Sequence, residues 1–195
     1  MSDKINAAAP DWHPPFVIIG AVKAATTWAL EQLQVNPALY MPDPEPHYFS
    51  SEYYRGEEHY KSYFKDMAGS GRVLGEKSAD YLAHPDAAQR LAAMLPNARL
   101  VVQFRNPIER AYSDYKMLYR RGTVTGAPEE YLLSLDNNPQ PRFLNDGLYA
   151  MHLHRHSAAG RGIGRRAHDI CAPHSVDSRH HLSGAGPGRR RGAAA

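Results

Sequence analysis

Short apolar, β-branched runs alternate along this chain with stretches of helical period. FVIIG, residues 16–20, is continuously apolar and ends on glycine, the pattern of a buried strand. TTWALEQLQVN follows with apolar residues at helical spacing and stops before Pro37. MPDPEPHYFS is rich in proline, which holds the residue before each ring extended and predicts a loop. EEHYKSYFKDM spaces its aromatics as a short helix does. RVLGEKSADYL predicts a second strand running into a polar turn, PDAAQRLAAMLP a helix, and ARLVVQFRN a third strand. PIERAYSDYKMLYRRG opens on proline and closes on Gly122, the asymmetry expected of a helix, while PEEYLLSLD and DGLYAMHLHRH predict two more.

Such alternation predicts an α/β fold: a P-loop-like, three-layer arrangement with a central, mainly parallel sheet flanked by helices. In these sheets ligands bind beyond the carboxyl ends of the strands. Each of the three runs is followed at once by polar or basic residues: Lys23 with Thr26 and Thr27, then Glu76-Lys77-Ser78, then Arg105.

Composition changes the picture mainly at the two ends. The 195 residues, 43% hydrophobic, suffice for one domain with a core. Residues 1–15 form a polar leader without an apolar signal core, and no run approaches the roughly 20 apolar residues that span a bilayer. Cys171 is the single cysteine, so no intrachain disulfide is possible, and a reducing, cytoplasmic setting is expected. The net charge of +3 divides unevenly, +6 over residues 151–195 and −3 over the rest. Residues 16–156 are thus expected to form the α/β domain. Residues 157–195, rich in Arg, Gly, Ala and His, have no apolar period and are expected to be disordered. Their composition is also what a GC-rich coding sequence yields out of frame, which predicts a frameshifted or misjoined end.

Candidate chemistry starts at GAVKAATT. A loop between a strand and a helix N-terminus offers free backbone N–H groups and the positive end of a helix dipole, both suited to an anion. Lys23 adds a mobile charge, Thr26 and Thr27 add hydroxyls, and the small Ala24 and Ala25 admit a phosphate close to the backbone. The nucleotide-hydrolase pattern G-x-x-x-x-G-K-[ST] is not met. Taken alone, the stretch fits equally a strand–turn–helix with a surface lysine. Arg105 ends a strand, and Ser113 lies eight residues on, about two turns into a helix. The pair could clamp a second phosphate; alternatively Arg105 forms a salt bridge and Ser113 is solvated. His152, His154 and His156 stand at i, i+2 spacing, unlike a helical metal pair, and no metal is expected.

GxxKxxTT after the first strand, EPHYF in the next loop, EKS after the second strand and RNPxxRAxSxY after the third occur in that order. Together they resemble the sulfotransferases that use 3′-phosphoadenosine 5′-phosphosulfate (PAPS), in particular the branch of heparan-sulfate-type carbohydrate sulfotransferases and their bacterial relatives. The resemblance covers roughly residues 15–156. It implies that Lys23, Ala24, Ala25, Thr26, Thr27 and Trp28 bind the 5′-phosphosulfate, and that Arg105 and Ser113 bind the 3′-phosphate. It also implies Glu45 as the base that activates the acceptor, with His47 as the rival, and Lys77 beside the reacting sulfate. Ala25 departs from the glycine usual there, which alanine replaces at little cost only if φ is negative. The family's later segment, which completes the sheet and closes over the nucleotide, is expected to be replaced here by the tail, leaving a truncated domain.

The resemblance thus implies PAPS as co-substrate, a carbohydrate or small-molecule acceptor, and no role for nucleic acid, membrane or metal. Two other readings stay open on the residues. A nucleotide-kinase-like enzyme would bind ATP with magnesium, against the absent Gly-Lys-Ser/Thr. A nucleic-acid-binding protein would use the Arg-rich tail, which lacks interleaved aromatics for base stacking.

Overall fold

The computed structural model describes residues 11–159. Among them β1 (Phe16–Gly20), β2 (Leu39–Tyr40), β3 (Val73–Lys77) and β4 (Arg99–Val102) form a four-stranded sheet in the order β2-β3-β1-β4. Every pairing is parallel. The connecting helices are α1 (Thr26–Gln34), α2 (Glu57–Ser62), α3 (Ala87–Met94), α4 (Pro107–Arg120), α5 (Pro128–Leu132), α6 (Arg142–Asn145) and α7 (Tyr149–Ala159). The three strands expected from apolar runs are β1, β3 and β4. β2 was not foreseen, because two residues carry no period; Leu39 and Tyr40 are extended because they pair with Val73 and Leu74. α6 is likewise too short to announce itself, and α2 and α5 fill only the first parts of the stretches predicted for them.

The layers follow from the pleat of β1, whose successive side chains point to opposite faces. Val17 and Ile19 enter a core with Tyr60 of α2, Phe64 and Leu91 of α3. Ile18 packs on the other face with Leu30 of α1 and Met41. Each fully buried Val or Ile contributes about 1.5–3 kcal/mol, so β1 is anchored from both sides. α4 closes a smaller cluster of Tyr115, Val124, Tyr131 and Phe143. Beside it Asp114 is fully buried and accepts two bonds from Arg142 at 2.9 Å.

The two ends depart from their composition. Trp12, in the polar leader, is buried and meets the Tyr60 ring edge-on at 6.1 Å. α7 runs through Ser157 to Ala159, across the compositional boundary, and the rest of the tail lies outside the described residues. On α7 the histidines are better read as an i, i+4 pair than as an i, i+2 set. His152 and His156 share a buried face, and their Nε2 atoms lie 2.9 Å from the Asn145 carbonyl and 3.3 Å from the Tyr81 carbonyl. His154 is exposed. Burial holds the His156 ring below the usual histidine range.

β1 lies between β3 and β4, so the chain leaves it toward one side and later crosses back to the other. The loops after these strands therefore diverge around one crevice, the place where sheets of this kind bind ligands.

Candidate active site

Gly20 leaves β1 at φ 154, and a Cβ there would lie 2.7 Å from the Leu82 Cβ and 2.9 Å from the Ala79 carbonyl oxygen. Only glycine lets the loop start so close to the chain beyond β3. Lys23 and Ala25 then adopt left-handed conformations, at φ 65 and 62. Ala25 therefore meets the unfavourable case for a side chain at that position, a cost of about 1–2 kcal/mol for an L-residue. Left-handed residues in a turn are the geometry from which anion-binding nests of backbone N–H groups are built. Among the described residues no side chain caps α1, whose N-cap is Ala25. Its first N–H groups, with the positive dipole end, face the same loop. Thr26 is buried, Thr27 is exposed, and Trp28 is 60% exposed.

The end of β3 meets the proline-rich loop. Lys77, 1% exposed, donates to Glu45 Oε1 and, at 3.3 Å, to Thr27 Oγ1. Glu45 Oε2 accepts from the Ala79 N–H at 3.1 Å. His47 Nδ1 lies 2.8 Å from Asp80 Oδ1. That hydrogen bond raises the His47 pKa above its usual 6.5, against partial burial and with the nearby charges of Asp80 and Glu45 assisting. Burial disfavours the Asp80 carboxylate, but the hydrogen bond and charge of His47 prevail and hold it below the usual range. The aromatic run around this loop packs beneath it: Tyr48, Phe49, Tyr60 and Phe64 all belong to the core.

The third component comes from β4 and α4. Asn106 caps α4 by accepting from the N–H groups of Ile108 and Glu109, at 3.0 and 3.3 Å, with Pro107 at the first helical position. That cap sets the start of α4 and so the side on which Ser113 emerges. Arg105 donates to the Lys23 carbonyl at 3.4 Å and to Glu109 at 3.3 Å. Ser113 lines a cavity of ≈ 350 Å³ with Lys23, Lys116, Met117, Arg120 and Arg121. Lys23 Nζ lies 3.5 Å from Met117 Sδ across it. Among the described residues no acidic side chain lines this space, so it offers an anion four cations and a hydroxyl.

Lys23, Glu45, His47, Lys77, Arg105 and Ser113 therefore gather at the carboxyl end of the sheet, around the Lys23 loop. Ala24 is buried and packs into the core, so it serves the loop through its small size. Several neighbours escaped sequence reasoning. Asp80 looked like a turn residue, and Glu76, expected with Lys77 and Ser78 to follow the second strand, instead lies within β3 with its side chain buried. Lys116, Met117 and Arg120 stand at i+3, i+4 and i+7 from Ser113, a helical spacing that puts all four on one face and was legible. Among the described residues no group of three or more His, Cys, Asp or Glu is placed to hold a metal ion, and no helix is long and apolar enough to cross a membrane.

No family model matches the chain. It is 32% identical over 145 residues to heparan sulfate glucosamine 3-O-sulfotransferase 6 of Homo sapiens, covering 72% of this chain and 42% of that protein. Over 105 residues it is 34% identical to the membrane-associated sulfotransferase kil1 of Dictyostelium discoideum, covering 52% of this chain and 22% of the other. The chain spans less than half the length of these curated relatives. Among solved structures it resembles a sulfotransferase from Alicyclobacillus acidocaldarius, with a TM-score of 0.65 and 29% identity, over 75% of this chain and 69% of that one.

Proposed function

The chain belongs to the sulfotransferase family, and from that premise we propose that it moves a sulfuryl group from PAPS to a hydroxyl or amine of a carbohydrate or small-molecule acceptor. The observation that carries the proposal is the convergence of two phosphate-suited features on Lys23. On one side is the left-handed loop leading into the uncapped α1. On the other are Arg105, bonded to the Lys23 carbonyl, and Ser113, in the cavity that Lys23 lines. A donor with phosphates on both its 5′ and 3′ positions uses both.

In the proposed reaction the acceptor oxygen or nitrogen attacks sulfur, the bond from sulfur to the bridging phosphate oxygen breaks, and adenosine 3′,5′-bisphosphate leaves. Lys23 neutralises the charge growing on that bridging oxygen, and the loop N–H groups hold the 5′-phosphate. Positioning and electrostatics supply most of the acceleration, as in phosphoryl transfer. The acceptor proton goes to a base on the proline-rich loop. Glu45 is 25% exposed and fixed by Lys77 and the Ala79 N–H, so one of its oxygens faces a cation that can turn to the sulfuryl oxygens. A second reading of the base has its own observation: His47 is backed by Asp80 in a dyad, the arrangement that orients an imidazole for proton transfer.

Calorimetry with adenosine 3′,5′-bisphosphate against ATP and magnesium tests the donor site, with binding of the bisphosphate alone expected. Transfer of labelled sulfate from PAPS to a panel of glycans, amines and phenols tests the reaction. Loss of transfer in Glu45→Gln with retention in His47→Asn identifies Glu45 as the base, and the reverse pattern identifies His47. Preferential binding of ATP would overturn the proposal.

A further inference from the structure

Four consecutive residues at the end of β3 grip the EPH segment in alternation. Lys77 and Ala79 hold the Glu45 carboxylate, while Ser78 and Asp80 hold the backbone N–H and the ring of His47. On the opposite face of the strand from Lys77 lies Glu76, fully buried. Its Oε1 accepts from the hydroxyls of Ser78, at 3.0 Å, and Tyr81, at 2.6 Å; its Oε2 accepts from Tyr60. A buried acid is costly unless it is hydrogen-bonded, and these three hydroxyls meet that need.

Ser78 is what connects this acid to the site. Its hydroxyl has one proton, and while the carboxylate takes that proton, a lone pair of Oγ is free to accept the His47 N–H at 3.0 Å. His47 stands at φ 48, a conformation that a residue other than glycine keeps only when its surroundings fix it. Its carbonyl is tied as well, accepting from the Ser50 hydroxyl and the Glu52 N–H, both at 3.0 Å. The Ser78 bond therefore closes the last free end of a strained residue.

We propose that Glu76 is a positioning residue: as a carboxylate it orients the Ser78 hydroxyl, which locks the His47 backbone and with it the segment that carries the base. The proposal rests on the reading of that segment as base-bearing. Protonation weakens the lock, because a neutral carboxyl accepts the Ser78 hydroxyl bond less strongly than a carboxylate does. Burial raises the Glu76 pKa to about 7, against the three hydroxyl bonds that favour the carboxylate. The groups facing it are the phenols of Tyr60, from α2, and Tyr81, after β3, both kept protonated by burial, with the charge of Asp80 opposing its ionisation. The segment is then held more firmly above pH 7 than below it.

Amide hydrogen exchange followed by NMR on the full chain tests this without any turnover. In the unaltered protein, protection at the His47 amide, corrected for intrinsic exchange, is expected to rise several-fold as pH passes about 7, with Ile18 and Leu74 unchanged. Ser78→Ala and Glu76→Gln are each expected to abolish that step and to lower His47 protection roughly five- to tenfold, the loss of one hydrogen bond. In transfer assays both variants are expected to lose kcat with the KM for the donor unchanged. His47 protection that is flat with pH in the unaltered chain, or unmoved by Ser78→Ala, overturns the proposal. Should the chain show the pH step yet bind no adenosine 3′,5′-bisphosphate, the functional reading falls and the lock on His47 stands.

Discussion

Replacing Ala25 by glycine is expected to stabilise the protein. Ala25 is exposed and stands immediately before α1 at φ 62. A left-handed conformation costs an L-residue about 1–2 kcal/mol. Glycine removes that cost but gives back about 0.5–1 kcal/mol through the greater freedom of the unfolded chain. With no buried surface lost at an exposed position, the net gain is about 0.5–1 kcal/mol. For a domain of this size that raises Tm by roughly 1–4 °C. Urea unfolding checks it, as a higher midpoint at unchanged slope. The same substitution at Lys23, also left-handed at φ 65 but half-buried against Met117, relieves the same strain at the cost of that packing and is expected to abolish binding of adenosine 3′,5′-bisphosphate. That contrast separates conformational strain from chemistry. An Ala25→Gly variant with a lower midpoint than the parent would refute the argument from strain.

Arg105→Ala is expected to weaken bisphosphate binding about 10- to 100-fold, the value of a charged hydrogen bond, while leaving the urea midpoint within about 0.5 kcal/mol because its side chain is exposed. Asp80→Asn is expected to bring the His47 titration, followed by proton NMR, back down toward 6.5. Because the His47 pKa is raised in the fold, the stability this pair contributes is fully present below pH 6.5 and fades as pH rises through the higher folded value. Stability of the unaltered protein should therefore fall relative to Asp80→Asn over that window. Gly75→Ala is expected to cost about 1–3 kcal/mol by overpacking, since a Cβ there would lie 2.2 Å from the Phe16 ring; a neutral result in denaturant melts would show that the ring has room to move. Lys77→Met, which leaves Glu45 without its cation, is expected to cost about 2–4 kcal/mol, tempered by the partial exposure of Glu45.

The frame and most of the site could be read from residues 16–120 because their signals are local. An apolar run that ends on Gly20, or a proline followed by a helical period at Pro107, specifies an element without reference to the rest of the chain. Motif order then put Lys23, Lys77 and Arg105 at or just beyond the ends of strands, Glu45 on the loop between them and Ser113 on the helix after the third. What stayed hidden depends on partners distant in sequence. Leu39 and Tyr40 are a strand only because β3 lies alongside. Asp80 acquires a role only when His47, 33 positions earlier, is brought against it. Glu76 reads as one more charged residue until the fold surrounds it with Tyr60, Ser78 and Tyr81. The sign of φ at Ala25 belongs to the same class, since nothing in an alanine announces a left-handed turn.

Glu76 and Lys77 are adjacent in sequence, opposite in charge and both almost completely shielded from solvent, yet they do not neutralise each other. The pleat of β3 acts as an insulator between them, directing the acid into one layer and the amine into the other. Two electrostatically separate compartments are thus maintained by the parity of a single strand. Insertion or deletion of one residue ahead of Glu76 would exchange the contents of the compartments. The amine would then meet the tyrosine hydroxyls and the acid would face the carboxylate of Glu45. Point substitutions in β3 leave this parity intact, so the segment should accept changes of side chain far more readily than any change of length.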